Sequence, residues 1–207
     1  MSKIHALRLK TECPDPELAE ARVAAWLDAG DLAGAATEAL RAYGTAVRHY
    51  LRSLDQDDVA HELFAEFSER LWTALPRFRR EASMRTWVFK LAWTTAQDWK
   101  RRAARNRVRR LDTSEADKLV AEIRSTTPAY QRGDAADRWR ALQASLSAED
   151  RSLLLLRLDQ RLPWRDVAQV MARGASSLDV ATLRKRFERL KARLRELAEQ
   201  HGVRSRP

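Results

Sequence analysis

Between Asp57 and Arg110 the chain writes two helices of opposite chemistry back to back, joined by a few charged residues. In DDVAHELFAEFSERLWTALPRF, apolar side chains recur at Val59, Leu63, Phe67 and Leu71, with Phe64 and Leu75 beside them. Spacing of three and four is helical, and it draws one apolar stripe that needs a core to cover it. Asp57, Asp58, Glu62, Glu66 and Glu69 lie off the stripe, so the other face is acidic in a chain that is basic overall. A solvated face and a docking face for a basic partner both satisfy that pattern. Pro76 ends the helix, because it has no amide hydrogen and its ring clashes with the preceding turn.

The second helix, SMRTWVFKLAWTTAQDWKRRAARNRVRR, puts Val88, Leu91, Ala92, Thr95 and Trp99 on one face. At about 100° per residue, Trp87 and Trp93 fall on the flanks of that face, and Lys90, Thr94, Gln97 and Arg101 fall opposite. Aromatic rings bordering a basic face suit single-stranded nucleic acid, since a ring stacks on any base while cations track the phosphates. The same tryptophans are also accounted for as half-buried core with a polar handle. Lys100, Arg101, Arg102, Arg105, Arg107, Arg109 and Arg110 follow directly and favour nucleic acid.

From Asp57 to Arg102, the blocks DDVAHELFAEFSERLWTALPRF, RREASMRTW and KLAWTTAQDWKRR resemble region two of bacterial RNA polymerase sigma factors. The resemblance is greatest to the small extracytoplasmic-function (ECF) class of the sigma-70 family, and it spans most of a domain. It implies that the acidic helix docks on the clamp helices of the polymerase largest subunit, with Asp57, Asp58, Glu62 and Glu66 at that contact. It also implies that the loop and the next helix capture flipped bases of the melted −10 element. The residues expected at that strand are Arg79, Arg80, Ser83, Trp87, Lys90, Trp93, Thr94, Gln97 and Arg101. For Arg79 to Ser83 a solvated turn is the alternative. Thr94 stands where many relatives carry an asparagine, so the preferred −10 base is expected to differ.

Composition narrows the class further. A formal charge of +10 over 207 residues and a pI near 10.4 call for an acidic partner, either nucleic acid or an anionic membrane surface. No purely apolar run, Leu153 to Leu156 included, comes near the roughly 20 residues of a spanning helix. The segment MSKIHALRLKTECPDPE lacks the apolar core of a signal peptide, so a cytoplasmic protein is expected. Cys13 is the only cysteine and the four histidines are scattered, so neither a disulfide nor a zinc site is expected. No cofactor and no catalytic residue is expected either. Few glycines and prolines, abundant Ala, Leu, Arg and Glu, and few β-branched runs predict an all-α protein.

Along the chain, residues 1 to about 30 read as a tail and a short helix from Glu17 to Leu27 that packs on the next domain. Asp31 to Leu54 reads as a helix weakened by Gly34 and Gly44, and residues 31–110 make the first domain. Residues 111–134 mix acid, Ser/Thr, Pro128 and Gly133, which predicts a flexible linker. By resemblance such a linker threads the polymerase RNA exit path; a tether of indifferent sequence is the alternative.

A second domain is expected over 135–207. Ser147-x-x-Asp150 is close to a capping box and precedes a dense apolar helix, Leu153 to Leu158. A break at Gln160 to Pro163, a short helix from Trp164 to Met171, a turn from Ala172 to Asp179 and a long basic helix follow. Leu183, Phe187, Leu190, Leu194 and Leu197 form the seam of that last helix, and the pattern predicts a helix-turn-helix. The segment resembles sigma region four, which implies that Thr182, Arg184, Lys185, Glu188 and Arg189 face the −35 element and that Trp164 and Arg165 lie near the DNA backbone. The turn is several residues longer than the usual connection, which leaves the angle of the last helix open.

The expected partners are core RNA polymerase and promoter DNA, without membrane insertion. Many relatives are held inactive by an anti-sigma factor, and the sequence does not say whether this chain has one. A stand-alone helix-turn-helix regulator accounts for the C-terminal half but not for the acidic helix. A nucleic-acid enzyme lacks paired carboxylates, a phosphate-cradling glycine loop or a zinc constellation. A structural nucleoid protein would bind DNA without sequence preference.

Overall fold

The computed structural model describes residues 16–54, 57–110, 146–172 and 178–200, and among the described residues every regular element is helical. The all-α expectation therefore holds. In order these are α1 (Pro16–Asp28), α2 (Leu32–Leu54), α3 (Asp57–Ala74), α4 (Met84–Arg110), α5 (Ala148–Leu154), α6 (Trp164–Met171) and α7 (Val180–Gln200). A 3₁₀ turn, Leu75–Arg77, with Pro76 in its first turn, closes α3, and a π-helical turn, Leu155–Asp159, continues α5. The expected linker 111–134, the start of the second domain at 135–145 and most of the turn, 173–177, lie outside the described residues. The chain divides into two compact units, Met1–Ala96 with Ala148–Pro207 and Gln97–Ser147.

The core of the first unit is built on α2. Its alanines 35, 36 and 39 let neighbours approach closely, and Tyr43, Val47, Tyr50, Leu51 and Leu54 fill the rest of its buried face. The stripe of α3 enters the same core at Leu63, Phe67 and Leu71. Gly34 has a packing reason, since a Cβ there would stand 2.5 Å from the Trp26 ring of α1. Asp31 caps α2, its Oδ1 accepting the Gly34 amide at 2.8 Å, and Gly30 makes the preceding turn at φ 72°.

In α4 the buried face is wider than the periodicity predicts. Val88, Phe89, Ala92, Trp93, Thr95 and Ala96 are all buried, and Phe89 meets Tyr50 edge-on at 5.4 Å between centroids. Trp93, expected on a flank, is only 2 % exposed and is a core residue. A helix enclosed on more than one side buries its flanks as well as its central stripe.

The described helices α5, α6 and α7 fall in the same compact unit as α1, α2 and α3. The leucine run 153–156 is buried in all four positions and needs cover beyond its own helix. It finds that cover on α2. There the Tyr50 and Ser152 hydroxyls share a buried hydrogen bond of 2.5 Å, and an Arg151 nitrogen donates to the Ser53 carbonyl at 3.3 Å. Helices α6 and α7 pack through Trp164 and Phe187, edge to face at 5.4 Å, above buried Leu183 and Leu190. Arg186 of α7 reaches back to Asp150 of α5 at 2.7 Å.

Candidate nucleic-acid interface

The loop between α3 and α4 is tied down at both ends by α1. Arg80 adopts a left-handed conformation, φ 57°, uncommon for a side chain of its size. Its guanidinium pairs with Asp28 at 2.6 Å, while Arg79 stays exposed with Glu81 at 4.0 Å. At the other end Ser83 caps α4, its Oγ accepting the Thr86 amide at 3.0 Å. The two preceding amides, of Met84 and Arg85, both donate to the Glu20 carboxylate at 2.8 Å. Tyr43 Oη donates to the same carboxylate at 3.0 Å. No spacing rule links Glu20 or Asp28 to the loop, because both act across more than fifty residues.

The start of α4 also carries the C-terminal half. The Ser83 hydroxyl donates to Thr86 Oγ1 at 2.9 Å, and the Thr86 hydroxyl donates to Asp166 of α6 at 2.9 Å. Arg85 donates to the Gln160 carbonyl at 2.5 Å. Ser83 is exposed, whereas Thr86 is buried under these contacts.

Further along α4, Lys90 and Thr94 are partly exposed on the face opposite the core, as expected. The Thr94 hydroxyl bonds back to the Lys90 and Leu91 carbonyls at 3.1 and 2.9 Å, so its proton is already committed within the helix. Trp87 is half-buried against Phe78, centroids 5.0 Å apart, and keeps part of its ring open, whereas Trp93 has none to offer a base. In the second unit Gln97 and Trp99 are partly exposed, Arg102 lies over the Trp99 ring at 5.6 Å, and exposed Arg101 pairs with Asp98 at 2.5 Å. In the first unit the aromatic position beside Lys90 and Thr94 that stays partly open is thus Trp87.

On α3, Glu62 and Glu69 are exposed, and Glu66 is partly neutralised by Arg70 at 2.7 Å. The side chains of Asp57 and Asp58 lie outside the described residues. Trp72, which the sequence reading passed over, is 45 % exposed. Ten residues beyond Glu62 and three beyond Glu69, it stands at the edge of the acidic face at about 100° per residue.

On α7, Thr182, Arg184, Lys185, Glu188 and Arg189 are all exposed. Thr182 is also part of the helix cap: Asp179 accepts its amide and its hydroxyl, each at 2.9 Å, and the Ala181 amide at 3.2 Å. The Thr182 hydroxyl first, and then the two amides, hold the Asp179 carboxyl below the ordinary carboxylate range. Arg184 reaches over the Trp164 ring at 5.8 Å, and Glu188 pairs with Lys191 at 2.8 Å. Trp164 is partly exposed and Arg165 fully so.

Among the described residues no group of acidic, histidine or cysteine side chains could hold a metal ion, and no helix is long and apolar enough to cross a membrane. Residues 39–106 match the family model of sigma-70 region 2, from within α2 to within α4. That match supports a sigma factor of the sigma-70 family, a class of non-catalytic initiation factors that bind core RNA polymerase and promoter DNA. No curated protein matches the chain.

Proposed function

Starting from a chain whose residues 39–106 match sigma-70 region 2, we propose a promoter-specificity subunit of bacterial RNA polymerase, of the ECF class and cytoplasmic. It binds, positions and melts, and performs no chemistry of its own. The acidic face of α3, with Asp57, Asp58, Glu62 and Glu66, holds the polymerase clamp helices, and Trp72 adds an apolar contact at its edge. The loop Arg79–Ser83 and the open face of α4, with Lys90, Thr94, Gln97 and Arg101, take the −10 strand once it is unpaired. Trp87 offers a ring to a base, and each base stacked recovers about 1 to 3 kcal/mol, which offsets the unpairing of a short AT-rich stretch.

The exposed start of α7 reads the −35 duplex in the manner of a helix-turn-helix. Lys185 and Arg189 have the reach and charge for guanine edges and phosphates, and Arg184, Thr182 and Glu188 border them. An anti-sigma factor as a further partner belongs to the same proposal by resemblance to the ECF class.

The family match over α3, the loop and α4 carries this reading. Reconstitution with core RNA polymerase tests it: the full chain is expected to form a holoenzyme that starts transcription at sites the core alone ignores. Duplex binding without any complex with core would favour a stand-alone regulator instead.

A further inference from the structure

We propose that α1 is the positioning element of the strand-capture loop, with Glu20 as its principal positioning residue and Asp28 as its second. The proposal rests on the reading of that loop given above, and it assigns α1 a part in choosing the melted-strand sequence.

Three observations converge on it. Glu20 accepts both amides that open α4 and the hydroxyl of Tyr43, which is itself buried. The first turn of α4 and the core of α2 therefore meet at one carboxylate. Asp28 pairs with the guanidinium of Arg80, whose left-handed backbone turns the loop. Between these two anchors α1 and the loop line a half-open cleft of about 100 Å³, with Val23 and Leu27 on one side and Phe78 and Ala82 on the other. An open cleft of that size offers its rim to a base, so small shifts of the loop change which base edge fits.

Charge adds a second effect. The amides at a helix start bind phosphate readily, but here Glu20 already occupies them. A strand backbone is refused at that end of α4 and turned toward Lys90, which leaves its bases to face the loop.

Holoenzyme reconstituted from the full chain and core polymerase is used to transcribe a duplex library randomised over both promoter stretches. Glu20→Ala is expected to flatten base preference in the melted stretch about tenfold, the value of a lost charge-assisted hydrogen bond. Asp28→Asn is expected to flatten it by up to about fivefold, as suits an exposed pair. Preference in the upstream stretch and affinity for core stay as in the unaltered chain. Glu20→Gln keeps the shape and one acceptor, and it falls between the unaltered chain and Glu20→Ala.

Unchanged melted-stretch preference in these variants, with yield tracking only the folded fraction, would make Glu20 a structural cap and overturn the proposal alone. Equal flattening of both stretches would overturn it too. If Glu20→Ala does not fold, Glu20→Gln and Asp28→Asn decide the matter on the same readout. If the unaltered chain forms no complex with core, the underlying reading falls and takes this proposal with it.

Discussion

Tyr50 and Ser152 show how much a single buried pair can matter. Their hydroxyls meet at 2.5 Å with both side chains out of solvent, and burial pushes the Tyr50 phenol well above its usual range against the opposing pull of Ser152. Tyr50→Phe leaves a buried hydroxyl without a partner and is expected to cost about 1 to 3 kcal/mol. Adding Ser152→Ala removes the stranded group and should return most of that loss. Denaturant titration of the two single variants and the double variant checks the coupling. Residues of this kind were the least legible in the sequence. Glu20, Asp28 and Asp166 look like ordinary surface carboxylates until the fold brings Met84, Arg80 and Thr86 to them. Trp93 was misplaced for a related reason: a helical wheel gives an angle but not how many neighbours enclose the helix.

At the scale of elements, local pattern told far more. The short helix Trp164–Met171 and the basic helix Val180–Gln200 appear where periodicity and breakers put them, and the start of α3 at Asp57 was equally plain. Helix α3 then carries a direct test. Glu62→Lys with Trp72→Ala is expected to weaken association with core polymerase at least tenfold, because both side chains are exposed and neither supports the core. Association at the unaltered level, measured by competition for core, would return that face to solvent.

The seam of α2 has its own pH dependence. Burial pushes the imidazole of His49 below its usual value near 6.5, helped by Arg52 and opposed by Asp159. The folded chain thus binds a proton less well than the unfolded one. Its contribution is complete above pH 6.5 and is lost as pH falls through that range. Thermal unfolding should drop between pH 7 and pH 5.5 by more than in His49→Gln.

Taken whole, the molecule carries its charge of +10 without a membrane-spanning helix among the described residues, and salt should report on it. Replacing Lys185 and Arg189 by alanine is expected to relax upstream sequence preference while core binding persists. It should also lower the slope of log affinity against log salt by up to about 2. Unaltered promoter choice would remove α7 from the reading surface. At this scale the sequence was readable as to class, all-helical and basic, but not as to assembly. The leucine run marked a helix that needed cover, and only the fold shows that α2 supplies it.

The contact between Tyr50 and Ser152 joins residues 102 positions apart, and this bears on how the polypeptide is made. A ribosome adding about 5 to 20 residues each second releases the leucine run only some 5 to 20 seconds after the surface it will cover. Through that interval a nascent chain exposes a tyrosine-bearing apolar stripe, which makes it a client for chaperones and vulnerable to truncation. Fragments ending before Ala148 should accordingly precipitate or be degraded where the complete product is stable.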